Sequence, residues 1–294
     1  MSTHSADARA VREELIVKLT AFDRLPAMAG TVTRIVRISA DAQDAVPALS
    51  ALLLKDAALS QRLLRLANSS VYRRPNAEPV TTLSRAIMVL GFHVIKTNAL
   101  AMLLADGMRG RKGQHVRTEL GLALAASVAA RELTRHAPFE DIEEAIVAAL
   151  FRNIGRLLVA AWDDALYEEI ARLAATDGLT PRQASTQVLG CSYETLAEGV
   201  LRAWSIPETI IYALAPIHAR VLKPAQSRAE WMQQVATFSA TLAAALPAID
   251  DPGYDLESEA LLERFGAALN LDAGRLAVLS ATAISESDAL RMHV

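Results

Sequence analysis

Apolar residues recur along this chain three or four positions apart, the spacing of one face of a helix. The clearest stretch is 56–91, DAALSQRLLRLANSSVYRRPNAEPVTTLSRAIMVLG. Leu59, Leu63, Leu66 and Ala67 form one stripe, and Arg62 and Arg65 fall on the other side, where their charges can stay in water. Asp56 can cap this helix by accepting from a free backbone N–H. Asn68 and Ser69 end it, because their side chains compete for backbone hydrogen bonds. Pro75 and Pro79 hold an irregular crossing open, Thr82 caps a second helix striped with Leu83, Ala86, Ile87 and Leu90, and Gly91 supplies a left-handed stop.

The same spacing predicts helices over 11–22, after Pro26, after Asp44 and over 93–104. The stretch GMRGRKGQHVR, 107–117, breaks the pattern with three glycines and four arginines or lysines. It reads as a basic hinge, suited to an anionic partner or simply to a solvated linker. Helical spacing resumes at Glu119–Thr134, and Asp141, Glu143 and Glu144 mark the positive end of a further helix. Thr180 with Gln183, and Ser205 with Glu208, have the spacing of capping boxes, and Ser192 can cap the helix between them. The helix after Ser205 is expected to run toward His218, an Ala-rich helix follows over 229–246, and two shorter helices close the chain after PAIDDPGYD. No convincing alternating strand occurs, so the fold class is all-α.

Composition agrees with this pattern. Hydrophobic residues make up 52% of the 294 residues and aromatics only 5%, which favours close-packed helices over sheets. Net charge is −3, from 30 basic and 33 acidic residues. That balance argues against a general nucleic-acid binder, even with Arg109, Arg111, Lys112 and Arg117 close together. One cysteine, Cys191, excludes an internal disulfide and a cysteine-rich zinc site. The N-terminus lacks a signal-peptide core, and the Ala-rich stretches are too short to span a bilayer. A cytoplasmic, soluble protein is expected.

The wording of the chain is more specific than its periodicity. KDAALSQRLLRLANSSVY, a proline-containing loop and then TLSRAIMVLGF resemble the HDOD family, helical output domains of bacterial signalling proteins. LPAMAGTVTRIVRI, 25–38, resembles that family's opening segment, and the resemblance runs from about Leu25 to His218. It implies a two-lobed helical bundle: an N-terminal lobe over 11–106, the hinge at 107–117, a degenerate HD-like lobe over 118–220 and a helical extension over 221–294. The second lobe resembles the HD fold, whose hydrolases hold divalent metal with histidines and a His-Asp pair. In AALFRNIGRLL, Arg152 stands at the family's histidine and Asn153 at its aspartate, while Gly155 and Arg156 keep the surrounding pattern. LGCSYETLAEG brings Tyr193 to another point where histidine is common, and His218 matches one member of a later histidine pair.

Arginine has five donors and no acceptor, so it cannot ligate a cation. From this substitution the chain is expected not to be an enzyme and to need no cofactor. Arg152, Asn153, Arg156, Tyr193 and His218 would then form a relic pocket for a nucleotide or another anion, since arginine pairs well with phosphate. Arg152 could equally pair with a local acid such as Glu194. A second candidate surface is the crossing, where Tyr72, Arg73 and Arg74 combine residue types enriched in contact hot spots. The resemblance implies a non-catalytic, stand-alone signalling adaptor acting by protein–protein contact, linked to motility, stress or second-messenger circuits. The alternative is a nucleotide sensor or residual metal-dependent phosphohydrolase in the HD-related pocket.

Overall fold

Local signals set most of the helix boundaries. The computed structural model describes residues 3–21, 25–70, 72, 78–108, 113–135, 137, 139, 142–249 and 253–291, with the backbone alone at 3–11, 25–27, 253 and 289–291. In chain order the helices are α1 (Thr3–Thr20), α2 (Leu25–Arg37), α3 (Ala45–Leu53), α4 (Ala57–Ala67), α5 (Leu83–Leu90), α6 (Phe92–Gly107), α7 (Gln114–Thr134) and α8 (Glu143–Phe151). Then come α9 (Ile154–Trp162), α10 (Asp164–Thr176), α11 (Pro181–Leu189), α12 (Tyr193–Ala203), α13 (Glu208–Ala213), α14 (Arg228–Ala245), α15 (Gly253–Leu269) and α16 (Ala273–Arg291). The described residues contain no strand.

Asp56 caps α4 by accepting from the Leu59 N–H at 3.0 Å, and Thr82 caps α5 through the Arg85 N–H at 3.2 Å. Thr180 and Gln183 make the full capping box at α11, and Ser192 caps α12. Gly91, at φ +93°, turns the chain between α5 and α6, which meet at 115°. Asn68 does more than end α4. Its amide donates to the Val80 carbonyl and accepts from the Val80 N–H, both at 2.8 Å, and so clamps the two ends of the crossing together.

Three readings of the local pattern are corrected. Arg62 is buried, not solvated, because it forms an ion pair with Asp106 at the end of α6. Ser205 and Glu208 make no capping box. Ser205 has a left-handed backbone (φ +56°), α13 starts from Pro207, and Glu208 pairs instead with Arg202 at 3.0 Å. α13 ends at Ala213, short of His218.

The first lobe packs α2, α4 and α5 around α6, with α3 against α5. α7 is the centre of the second lobe, touching α8, α9, α14 and α16, and it also meets α6. α1 packs on α12. Lys96 joins the lobes. Its ammonium donates to the carbonyls of Val36 (3.0 Å) and Ile38 (2.5 Å), at the negative end of α2, and to Glu143 (2.8 Å), at the positive end of α8.

One run among the described residues, Glu143–Trp162, has the length and hydropathy of a bilayer span. Buried within the fold over 78% of its window, it reads as the core of a helical protein.

Candidate functional site

The chain breaks at Arg152 and Asn153, between two helices whose inward faces are apolar apart from Glu143 at the start of α8. Gly155 lies so close to the next layer that a Cβ there would stand 2.2 Å from the carbonyl oxygen of Tyr193. This contact sets the start of α9 against the start of α12. Arg152, Asn153, Arg156 and Tyr193 therefore line one cavity of about 300 Å³, with Glu194, Thr237 and Thr241 on its other walls. His218 is not part of it and is exposed in the segment after α13.

The two arginines of this cavity differ. Arg156 donates through Nε to Glu119 at 2.8 Å and through a terminal nitrogen to the Tyr167 hydroxyl at 3.1 Å. Tyr167 in turn donates to Glu119 at 2.5 Å. Glu119 is only 1% exposed, so its charge depends on these partners. Burial opposes the Arg156 charge, but Glu119 outweighs it and holds the guanidinium above its ordinary pKa. Burial, and next Glu119, push the Tyr167 phenol up to about 12.

Arg152 forms no ion pair with an acid among the described residues. It donates to the Leu214 carbonyl, and burial lowers its pKa, with Glu194 opposing and Arg264 adding to the shift. Glu194 Oε2 and Thr237 Oγ1 are buried with no hydrogen-bond partner.

One layer away is a cluster of metal-ligating types. His115 lies in the first turn of α7 and not in the hinge, Asp164 opens α10, and Glu168 follows one turn later. Their ligand atoms lie within 4.8 Å of one another, and His115 Nδ1 is 2.8 Å from Asp164 Oδ1. The Tyr167 ring, with its centroid 4.9 Å from that of His115, positions the imidazole. One imidazole and two carboxylates make a donor set that fits a divalent first-row ion. The expectation that the chain is no enzyme, drawn from Arg152 and Asn153, is therefore corrected. Those two residues do not decide the matter, because a His-Asp-Glu set stands elsewhere in the same lobe. The sequence held its signal only in part: Asp164 and Glu168 share a helix face, but His115 is 49 positions earlier.

At the crossing, Tyr72 is half-buried and donates to Glu286 of α16 at 2.9 Å, and Glu286 also accepts from Arg131 at 2.8 Å. Burial first, and then Glu286, raise the Tyr72 pKa. Arg73 and Arg74 lie outside the described residues, as do Arg109, Arg111 and Lys112 of the basic stretch.

The family model of the HDOD domain matches residues 25–220, two thirds of the chain. The chain belongs to the HDOD family. Solved structures share the fold over nearly the whole length of this HDOD protein. An HDOD domain protein of unknown function from Geobacter sulfurreducens is 18% identical, with 97% of each chain covered and a TM-score of 0.67. A protein provisionally named a phosphohydrolase from Shewanella amazonensis SB2B is 22% identical, with 95% of this chain and 96% of that one covered and a TM-score of 0.65. A protein provisionally named for signal transduction from Marinobacter aquaeolei VT8 is 18% identical, with 99% and 65% covered and a TM-score of 0.64. No curated protein matches the sequence.

The HDOD match stops before α14 and α15, yet Thr237 and Thr241 of α14 line the Arg152 cavity. Sequence reading missed these residues and Arg264, because family wording ends before them.

Proposed function

We propose that this HDOD protein is a regulator in bacterial signal transduction that works in the cytoplasm by contact with a protein partner. The match to the HDOD domain over 25–220 carries the reading. The shared fold of a Marinobacter protein named for signal transduction supports it. The contact surface is the crossing after α4, where Asn68 clamps the ends and Glu286 anchors Tyr72, and Arg73 and Arg74 are the residues to test. Affinity capture from the native cell should recover a specific partner with the wild-type chain and lose it with Arg73→Ala/Arg74→Ala. A partner retained by the double variant would move the contact elsewhere, and recovery of no specific partner would count against the regulator itself.

A second reading, a metal-dependent phosphohydrolase, is favoured by one observation, the His115–Asp164–Glu168 cluster. A divalent ion supplies such chemistry by making bound water a nucleophile near neutral pH. His115, Asp164 and Glu168 would hold the ion, and Tyr167 would keep the imidazole in place. Calorimetric titration with Mn²⁺ or Zn²⁺ should then show one ion per chain, with affinity reduced tenfold or more in His115→Ala. Identical titrations of the two proteins would remove this reading.

A further inference from the structure

Arg152 is not alone. Arg264, on α15, donates to the Ile217 carbonyl at 2.8 Å, as Arg152 does to Leu214, so one short segment after α13 steadies both guanidiniums. Neither forms an ion pair with any described residue. Arg264 Nε is buried with no partner, and its charge acts on Arg152 against the charged form. Arg264 lines a second cavity of about 340 Å³, which shares Thr241 and Ala244 with the first. The two arginines thus stand on either side of one ridge of α14.

Glu194 offsets the effect of Arg264 on Arg152, but among the described residues no acid hydrogen-bonds to either guanidinium. Glu119 is engaged by Arg156. Glu194 lines the Arg152 cavity but comes no closer to Arg152 than electrostatic reach, and its Oε2 is buried without a partner. Glu257 lines the second cavity as an exposed side chain. Two partly buried guanidiniums with spare donors, one on each side of the ridge, gain hydrogen bonds and charge compensation when an anion joins them. Guanidinium forks match phosphate oxygens in pairs. The unpartnered Glu194 oxygen asks for the opposite chemistry, a donor, and the Thr237 hydroxyl can serve either way.

We propose that a small phosphate monoester bridges Arg152 and Arg264 across the Thr241–Ala244 ridge, with an N–H or O–H of the same ligand meeting Glu194. Nucleoside monophosphates have this combination, and free phosphate has the anionic half of it. Because Arg264 lies beyond the HDOD match, the C-terminal extension completes the site. The proposal gives the regulator a small-molecule input, and its test uses no partner, so the two stand or fall separately.

The experiment is calorimetric titration of the full chain with AMP, GMP and inorganic phosphate, using wild type, Arg152→Gln and Arg264→Gln. A thermal melt of each unliganded variant checks folding, and Arg152→Lys, which keeps charge but loses the fork, serves as a second variant. The expected result is nucleotide binding at least tenfold weaker in either glutamine variant. Binding of inorganic phosphate alone, with the same dependence on both arginines, would support the clamp and assign it to free phosphate. Equal binding by wild type and variants, or none by any probe at millimolar concentration, would overturn the proposal.

Discussion

Gly155→Ala is expected to destabilise the protein by about 3 kcal/mol, at the upper end of the cost of overpacking a tight interior. The added methyl would sit 2.2 Å from the Tyr193 carbonyl oxygen and 2.9 Å from its carbon. Both atoms are backbone, so relief requires α9 and α12 to move apart. Two other glycines provide the contrast. At Gly199 the methyl would meet Ile16 Cδ1 at 2.3 Å, the far end of a flexible side chain on α1, so a loss of roughly 1 kcal/mol is expected. At Gly30, inside α2, nothing lies within 4 Å, and alanine should stabilise by up to about 1 kcal/mol through helix propensity. Thermal melts of the three variants test the order, with a drop of roughly 6 °C or more for Gly155→Ala. A Gly155→Ala protein that melts with wild type would show that α9 does not press on α12 as described.

Breaking the Lys96–Glu143 pair should have the largest effect of any single charge removal. The two side chains are 3% and 9% exposed, so water screens them little. Glu143→Ala leaves the Lys96 ammonium buried with only carbonyl partners and frees the Ala40 N–H, which Glu143 accepts at 2.5 Å. Lys96→Ala leaves a buried carboxylate. Either change is expected to cost about 3–5 kcal/mol. The Lys96→Ala/Glu143→Ala double variant should lose less than the sum, because no orphan charge remains. Urea unfolding of the four proteins gives the cycle, and strict additivity would mean that the pair is not coupled.

The fold was legible wherever its cause was local. Asp56, Thr82, Ser192 and the Thr180–Gln183 pair cap their own helices within three residues, so spacing suffices to find them. Arg62 was misread because its partner, Asp106, is 44 positions away, and periodicity cannot tell a paired arginine from a solvated one. Ser205 misled for the opposite reason: it has the composition of a cap, but its backbone is left-handed and its carbonyl accepts from Arg37 at 3.3 Å. In the site, Arg152, Asn153, Arg156 and Tyr193 line one cavity, and His218 lies outside it. The His115 cluster and the placement of Arg264 depend on elements that meet only in three dimensions, α7 with α10 and α15 with the segment after α13.

α7 is enclosed by α14 and α16, both beyond residue 220, and Arg275 of α16 donates to the Leu133 carbonyl near the end of α7. The recognisable motif and the stable physical unit therefore have different edges. A fragment trimmed to 25–220 would bare the apolar flank of its own central helix, a surface prone to aggregate. Inheritance of this module intact requires the tail to travel with it.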